Sequence, residues 1–174
     1  MEHGRHLVDI VDENGLVVGT KQRRDIDKNR DTYHAVYTVL VTPVGQVVLA
    51  RIPDRKDLPN LYVGQLGVPA ATIRRSGESP MAAAQRSVQR ELFIDDAKLV
   101  PVGGGLLELE NGRQTYVSVY YMVANAPESY SSTDIGELIT FNPRDLRQRI
   151  ADHPEGFAPT MLKLWDRYQD RLPL

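Results

Sequence analysis

Residues 77–94 read Gly77-Glu78-Ser79-Pro80-Met81-Ala82-Ala83-Ala84-Gln85-Arg86-Ser87-Val88-Gln89-Arg90-Glu91-Leu92-Phe93-Ile94, and the fold follows from reading them as a helix. Ser79 suits the N-cap because its hydroxyl can accept a backbone N–H of the first turn, and Pro80 suits the next position, whose N–H needs no partner. Alanines followed by Gln, Arg, Glu and Leu have high helix propensity. Met81, Ala84, Val88 and Leu92 recur at spacings of three and four, which predicts one apolar stripe facing a core. Arg86, Ser87, Arg90 and Glu91 are turned away from it, the last three on a common face. Composition alone makes that face a solvated one, the usual situation for an amphipathic surface helix.

On either side the chain alternates strand and turn signals. Leu7–Val11 and Leu16–Lys21 flank Asp-Glu-Asn-Gly and predict a hairpin with Gly15 at positive φ. Gln22 to Asp31 is charge-dense and reads as an exposed connection from which Arg23 and Arg24 could reach a phosphate. Tyr33–Val41 and Gln46–Ile52, joined by Pro43-Val44-Gly45, read as a central strand pair. Residues 53–76 are irregular and end in Arg74 and Arg75. Lys98–Glu110 and Arg113–Ala124 flank Asn111-Gly112, a type I′ hairpin signal. On the second run Gln114, Tyr116, Ser118 and Tyr120 share a face that could line a pocket or belong to the core. Arg144–Ala151 reads as a short helix. Thr160 is placed to cap a final helix to about Arg171, burying Met161, Leu164, Trp165 and Tyr168.

In this register Glu78, Arg86, Val88, Glu91 and Ile94 match the box of the Nudix superfamily, and the chain resembles that family from about residue 5 onward. The differences fall where the family's chemistry sits. Thr72 and Phe93 stand at two glycine positions, and Ser87 and Arg90 stand at two of the three metal-binding glutamates. Gly45–Arg51 resembles the family's second sheet strand, which often ends in Arg. His34 and Pro59-Asn60-Leu61-Tyr62 resemble the isopentenyl-diphosphate isomerase-like branch, and Glu137 matches a late acidic position. Gly67 precedes Glu78 by more than the family spacing. Either Ala71 and Thr72 replace the glycines there, or the loop is longer.

The resemblance implies an α/β fold, the Nudix α/β/α sandwich with a mixed central sheet, as one domain: residues 1–31 a hairpin and connection, residues 32–174 the core. It implies hydrolysis of a nucleoside diphosphate or other diphosphate-linked compound. Glu91 would be the catalytic carboxylate and metal ligand, and Glu78 and Arg86 would orient it. Mg2+ or Mn2+ would be held weakly or delivered by substrate. Arg90, Arg51, Arg74 and Tyr116 are the substrate-binding candidates. A guanidinium at a metal-ligand position repels a cation but offers a planar fork of donors to phosphate oxygens. Exchanging two carboxylates for Ser87 and Arg90 shifts the local charge by about +3. Replacement ligands would have to come from Asp95, Asp96, Glu108 or Glu110. The alternative is therefore a catalytically inactive Nudix domain that binds a diphosphate-containing ligand. Isomerase chemistry of the related branch uses a cysteine, and the chain has none.

The chain has 174 residues, 41% of them hydrophobic, with a formal net charge of −2, so it exerts no broad attraction for nucleic acid or anionic membrane. No apolar run reaches membrane-span length and the first residues lack a signal-peptide core, which predicts a cytoplasmic protein. The absence of cysteine excludes disulfides and thiolate metal sites. A homodimer is compatible with the sequence.

Overall fold

A computed structural model of the protein describes residues 5–55, 62–109 and 111–174. Strands β1 (Leu7–Val11) and β2 (Val17–Gln22) form an antiparallel hairpin. Its turn has Gly15 at φ 80°, and the Asp12 carboxylate accepts the N–H groups of Asn14 and Leu16. This short-range chemistry is what the Asp-Glu-Asn-Gly signal predicts.

The larger sheet has seven strands. Its centre is β3 (His34–Val41), which runs parallel to β8 (Gln114–Val123) along its full length. With β8 on one edge, the other edge is shared end to end. β6 (Ala70–Ile73) pairs with Ala35–Thr38, and β4 (Val47–Arg51) pairs with Leu40 and Val41. β4 then diverges to pair with β5 (Leu66–Gly67) and β9 (Glu137–Phe141), and β7 (Val100–Glu108) lines the far side of β8. The expected central pair, β3 and β4, thus touches only near its turn. The sheet splits where β6 ends and β4 begins. Both β5 and β6 lie in the stretch that reads as irregular, because they are short, interrupted by Gly67 and Pro69, and lack alternating β-branched residues.

Helices cover both faces, giving the expected α/β/α sandwich. Helix α1 (Pro80–Leu92) sets Ala83, Ala84, Val88 and Leu92 against Val36, Leu40, Val48 and Met122. On the other face Met161, Leu164, Trp165 and Tyr168 of α3 (Pro159–Tyr168), with Leu146 of α2 (Pro143–Asp152), pack on Val39, Val41, Leu49 and Val119. Each fully buried Val, Leu or Met among them contributes about 1.5–3 kcal/mol.

Local details refine the sequence reading. Ser79 caps α1 by accepting the Ala82 N–H at 3.1 Å. Phe93, at the family's glycine position, ends the helix in left-handed conformation with φ 55°. Ser87 and Glu91, expected on the outward face, are buried at 0% and 6% exposure. The reason is that α1 packs on β6 as well as on the central sheet, which widens its buried stripe. Ala158, not Thr160, takes the cap position of α3, and Thr160 lies in the first turn. The β7–β8 hairpin closes through Leu109 N–H to the Arg113 carbonyl at 2.8 Å and Gly112 N–H to the Leu109 carbonyl at 2.9 Å, with Gly112 at φ 75°. The Pro59-Asn60-Leu61 piece and Glu110 lie outside the described residues. No helix among the described residues is long and apolar enough to cross a membrane.

Candidate functional site: an arginine-lined cleft at the split in the sheet

Where β4 leaves β3, a cleft of about 370 Å³ opens, walled by Ala50 and Arg51 of β4, Gly67 of β5, Ala71 of β6, Arg90 and Glu91 of α1, and Thr160 and Met161 of α3. The elements meet here because the strand order leaves no backbone partner between β4 and β6. The box helix contributes the charged pair. Glu91 accepts the Ala71 N–H at 3.1 Å and is ion-paired with the neighbouring Arg90 guanidinium. Burial pushes the Glu91 carboxyl up to about 7, against the pull of Arg90 and the Ala71 N–H, and Asp134 adds to the rise.

The rim carries further fixed charges. Arg51 donates to Glu137 at 3.0 Å and to the Gly64 carbonyl at 2.8 Å. Asp134 accepts from Ser131 at 2.6 Å and faces Arg55 at 3.3 Å. Tyr37 lies at the inner end, and burial raises its phenol well above the ordinary value.

Glu78 and Arg86 form a clamp beside the cleft. Arg86 grips Glu78 at 2.7 and 2.9 Å and also donates to Thr72 Oγ1 and the Ile73 carbonyl. Glu78 accepts the Arg75 N–H at 2.9 Å. Burial opposes the Glu78 charge, but the Arg86 and Arg75 bonds outweigh it and hold the carboxyl below its usual range. The pair ties the end of β6 to α1 and so fixes where Ala71 meets Glu91.

Arg51, Arg90 and Glu91 therefore come together in one cleft. Arg74 and Tyr116 do not line it. Arg74 pairs with Asp9 of β1 at 3.4 Å, because the last residues of β6 run beneath the N-terminal hairpin. Tyr116 stands edge-on to His34 at 5.1 Å under the hairpin turn, where a Cβ on Gly15 would lie 2.7 Å from its ring. His34 is bonded to Ser118 at 2.8 Å, and burial with nearby Arg74 pushes it down to about 4, so it is neutral near pH 7. These side chains seat the hairpin. Asp134, Arg55, Tyr37 and Thr160 are cleft residues that sequence reasoning does not single out. Only Asp134 carries a signal, as the start of the acidic stretch before the last strand.

The donor set does not fit a resident divalent cation. Among the described residues no group of three or more His, Cys, Asp or Glu gathers in one place. Ser87 turns its hydroxyl onto the Ala84 carbonyl at 3.0 Å, Arg90 brings positive charge, and Glu91 is already engaged. Mg2+ demands several oxygen ligands, which this face does not supply. Asp95 is bonded to Gln89 and, with Asp96, lies at another depression, beyond the C-terminal end of α1. Glu108 ends β7 on the exposed side.

No protein-family model matches the chain. Over 161 residues it is 27% identical to an uncharacterized Nudix hydrolase of Yersinia pestis, covering 91% of this chain and 84% of that protein. The crystal structure of DR0079 from Deinococcus radiodurans superposes with a TM-score of 0.76 at 22% identity, covering 93% of this chain and 98% of that one. The Nudix domain of Shewanella oneidensis NrtR, complexed with ADP-ribose, superposes with a TM-score of 0.62 at 13% identity, covering 84% and 94%. The chain thus has the Nudix fold and is similar in sequence, over nearly its whole length, to a Nudix hydrolase.

Proposed function

We propose that this protein binds a diphosphate-linked small molecule in the cleft, with Arg90 as the principal anion contact and Arg51 as a second. The observation that carries this reading is the Arg90 guanidinium lining the cleft with the buried Glu91 carboxyl behind it. The solved neighbour from Shewanella oneidensis, which holds ADP-ribose, supports the ligand class. A diphosphate replaces Glu91 as the partner of Arg90, and Glu91 takes up a proton as its counter-ion leaves. Calorimetric titration with ADP-ribose in chelator should show binding, and Arg90→Ala should weaken it roughly tenfold or more, the scale of a charge-assisted hydrogen bond. No binding of ADP-ribose, of nucleoside diphosphates or of nucleotide sugars would overturn the reading.

A second reading is hydrolysis of the diphosphate bond, favoured by the similarity to the Yersinia pestis Nudix hydrolase. Glu91 would be its catalytic carboxylate, positioned by the Glu78–Arg86 clamp, with any Mg2+ or Mn2+ arriving on the substrate. Release of new phosphomonoesters from ADP-ribose and nucleotide sugars, and of phosphate from nucleoside diphosphates, with magnesium, with manganese and with chelator separates the two. Metal-dependent turnover that Glu91→Gln removes selects the hydrolase, and binding without turnover selects the binding protein.

A further inference from the structure

Strand β2 is the outer edge of the two-stranded hairpin, and among the described residues nothing pairs with its far side. It is also apolar. Leu16, Val17 and Val18 are 65%, 55% and 66% exposed, an arrangement that leaves a ready template for another strand. Edge strands are commonly guarded by lysine, but Lys21 is turned back onto Asp31, with its ammonium 2.7 Å from both carboxylate oxygens. The hairpin is held in place from beneath, by Gly15 against Tyr116 and by Asp9 on Arg74.

We infer that a second copy of this chain docks along β2, edge to edge and antiparallel, about a two-fold axis at Gly19. Charge selects this occupant. The turn end of β2 carries Glu13 and the other end carries Arg23, and neither has an ion-pair partner among the described residues. An antiparallel two-fold pairing brings the acidic turn of each copy to the basic end of the other, while the valines flank the axis. An isologous contact of this kind closes on itself and stops at two copies.

Sedimentation equilibrium from low to several hundred micromolar should show a monomer–dimer equilibrium that weakens with salt. Val18→Lys should raise its dissociation constant roughly tenfold or more, as a charge does on an edge strand. Glu13→Arg should weaken it, and Glu13→Arg combined with Arg23→Glu should restore it. Because the chain has no cysteine, Gly19→Cys offers an independent measurement. A Cβ there meets nothing within 4 Å, so the variant folds, and mild oxidation should yield a disulfide-linked dimer that Val123→Cys, at the exposed end of β8, does not. A protein that stays monomeric throughout overturns the inference. So does a dimer insensitive to Val18→Lys that Gly19→Cys fails to cross-link.

Discussion

Glu91 sits at the balance point of the cleft. Its carboxyl is raised from 4.5 to about 7, so between those values the folded protein holds a proton that the unfolded chain has released. Stability therefore falls as pH rises through that window and levels off above it. Thermal melts from pH 5 to 8 should show Glu91→Gln gaining on the wild type up to about pH 7, with a constant difference beyond. The same proton governs Arg90. Protonating Glu91 leaves the guanidinium's charge to the ligand, so affinity for ADP-ribose should rise as pH falls from 8 to 6, and Glu91→Gln should abolish that dependence. ADP-ribose suits this measurement because its diphosphate is esterified at both ends and does not titrate in the range. Arg90 and Glu91 were legible in the sequence because the helix repeat and the box spacing put them side by side. Tyr37 and Thr160 were not, since they reach the cleft from elements distant in the chain and no spacing links them.

Among the elements, α1 shows how far local rules reach. Its cap and start follow from Ser79-Pro80, and its end carries a cost at Phe93, held at φ 55° without the freedom of glycine. Phe93→Gly should raise stability by about 0.5–1 kcal/mol in denaturant melts, since the ring is more than half exposed and little packing is lost. The strands β5 and β6 escaped the sequence reading for the opposite reason. Their pairing is imposed by β3 and β4, and Ala70-Ala71-Thr72-Ile73 has no strand pattern of its own. Ser87 and Glu91 were misjudged as outward-facing for the same cause, because β6 is what buries them.

For the whole molecule, the Glu78–Arg86 clamp connects the sheet to the box helix, with side chains only 15% and 21% exposed. Glu78→Gln leaves Arg86 half-partnered and should cost roughly 2–3 kcal/mol, somewhat under the range for a fully buried pair. It should also loosen Ala71 against Glu91, which hydrogen exchange at the Ala71 amide would register as faster exchange. The layered fold was legible because helix and hairpin signals alternate along the chain and the family spacing holds from one end of the box to the other. The split in the sheet was not, as it arises from two strands competing for one edge of β3. Ser87 bears on what could be built here. Its side chain is sealed beneath α1, whereas that of Arg90 is 38% exposed. A glutamate at residue 90 would find room, but a glutamate at 87 has none until the helix is lifted. Converting this cleft to a three-carboxylate site is thus a problem of remodelling a backbone, beyond the reach of point substitution.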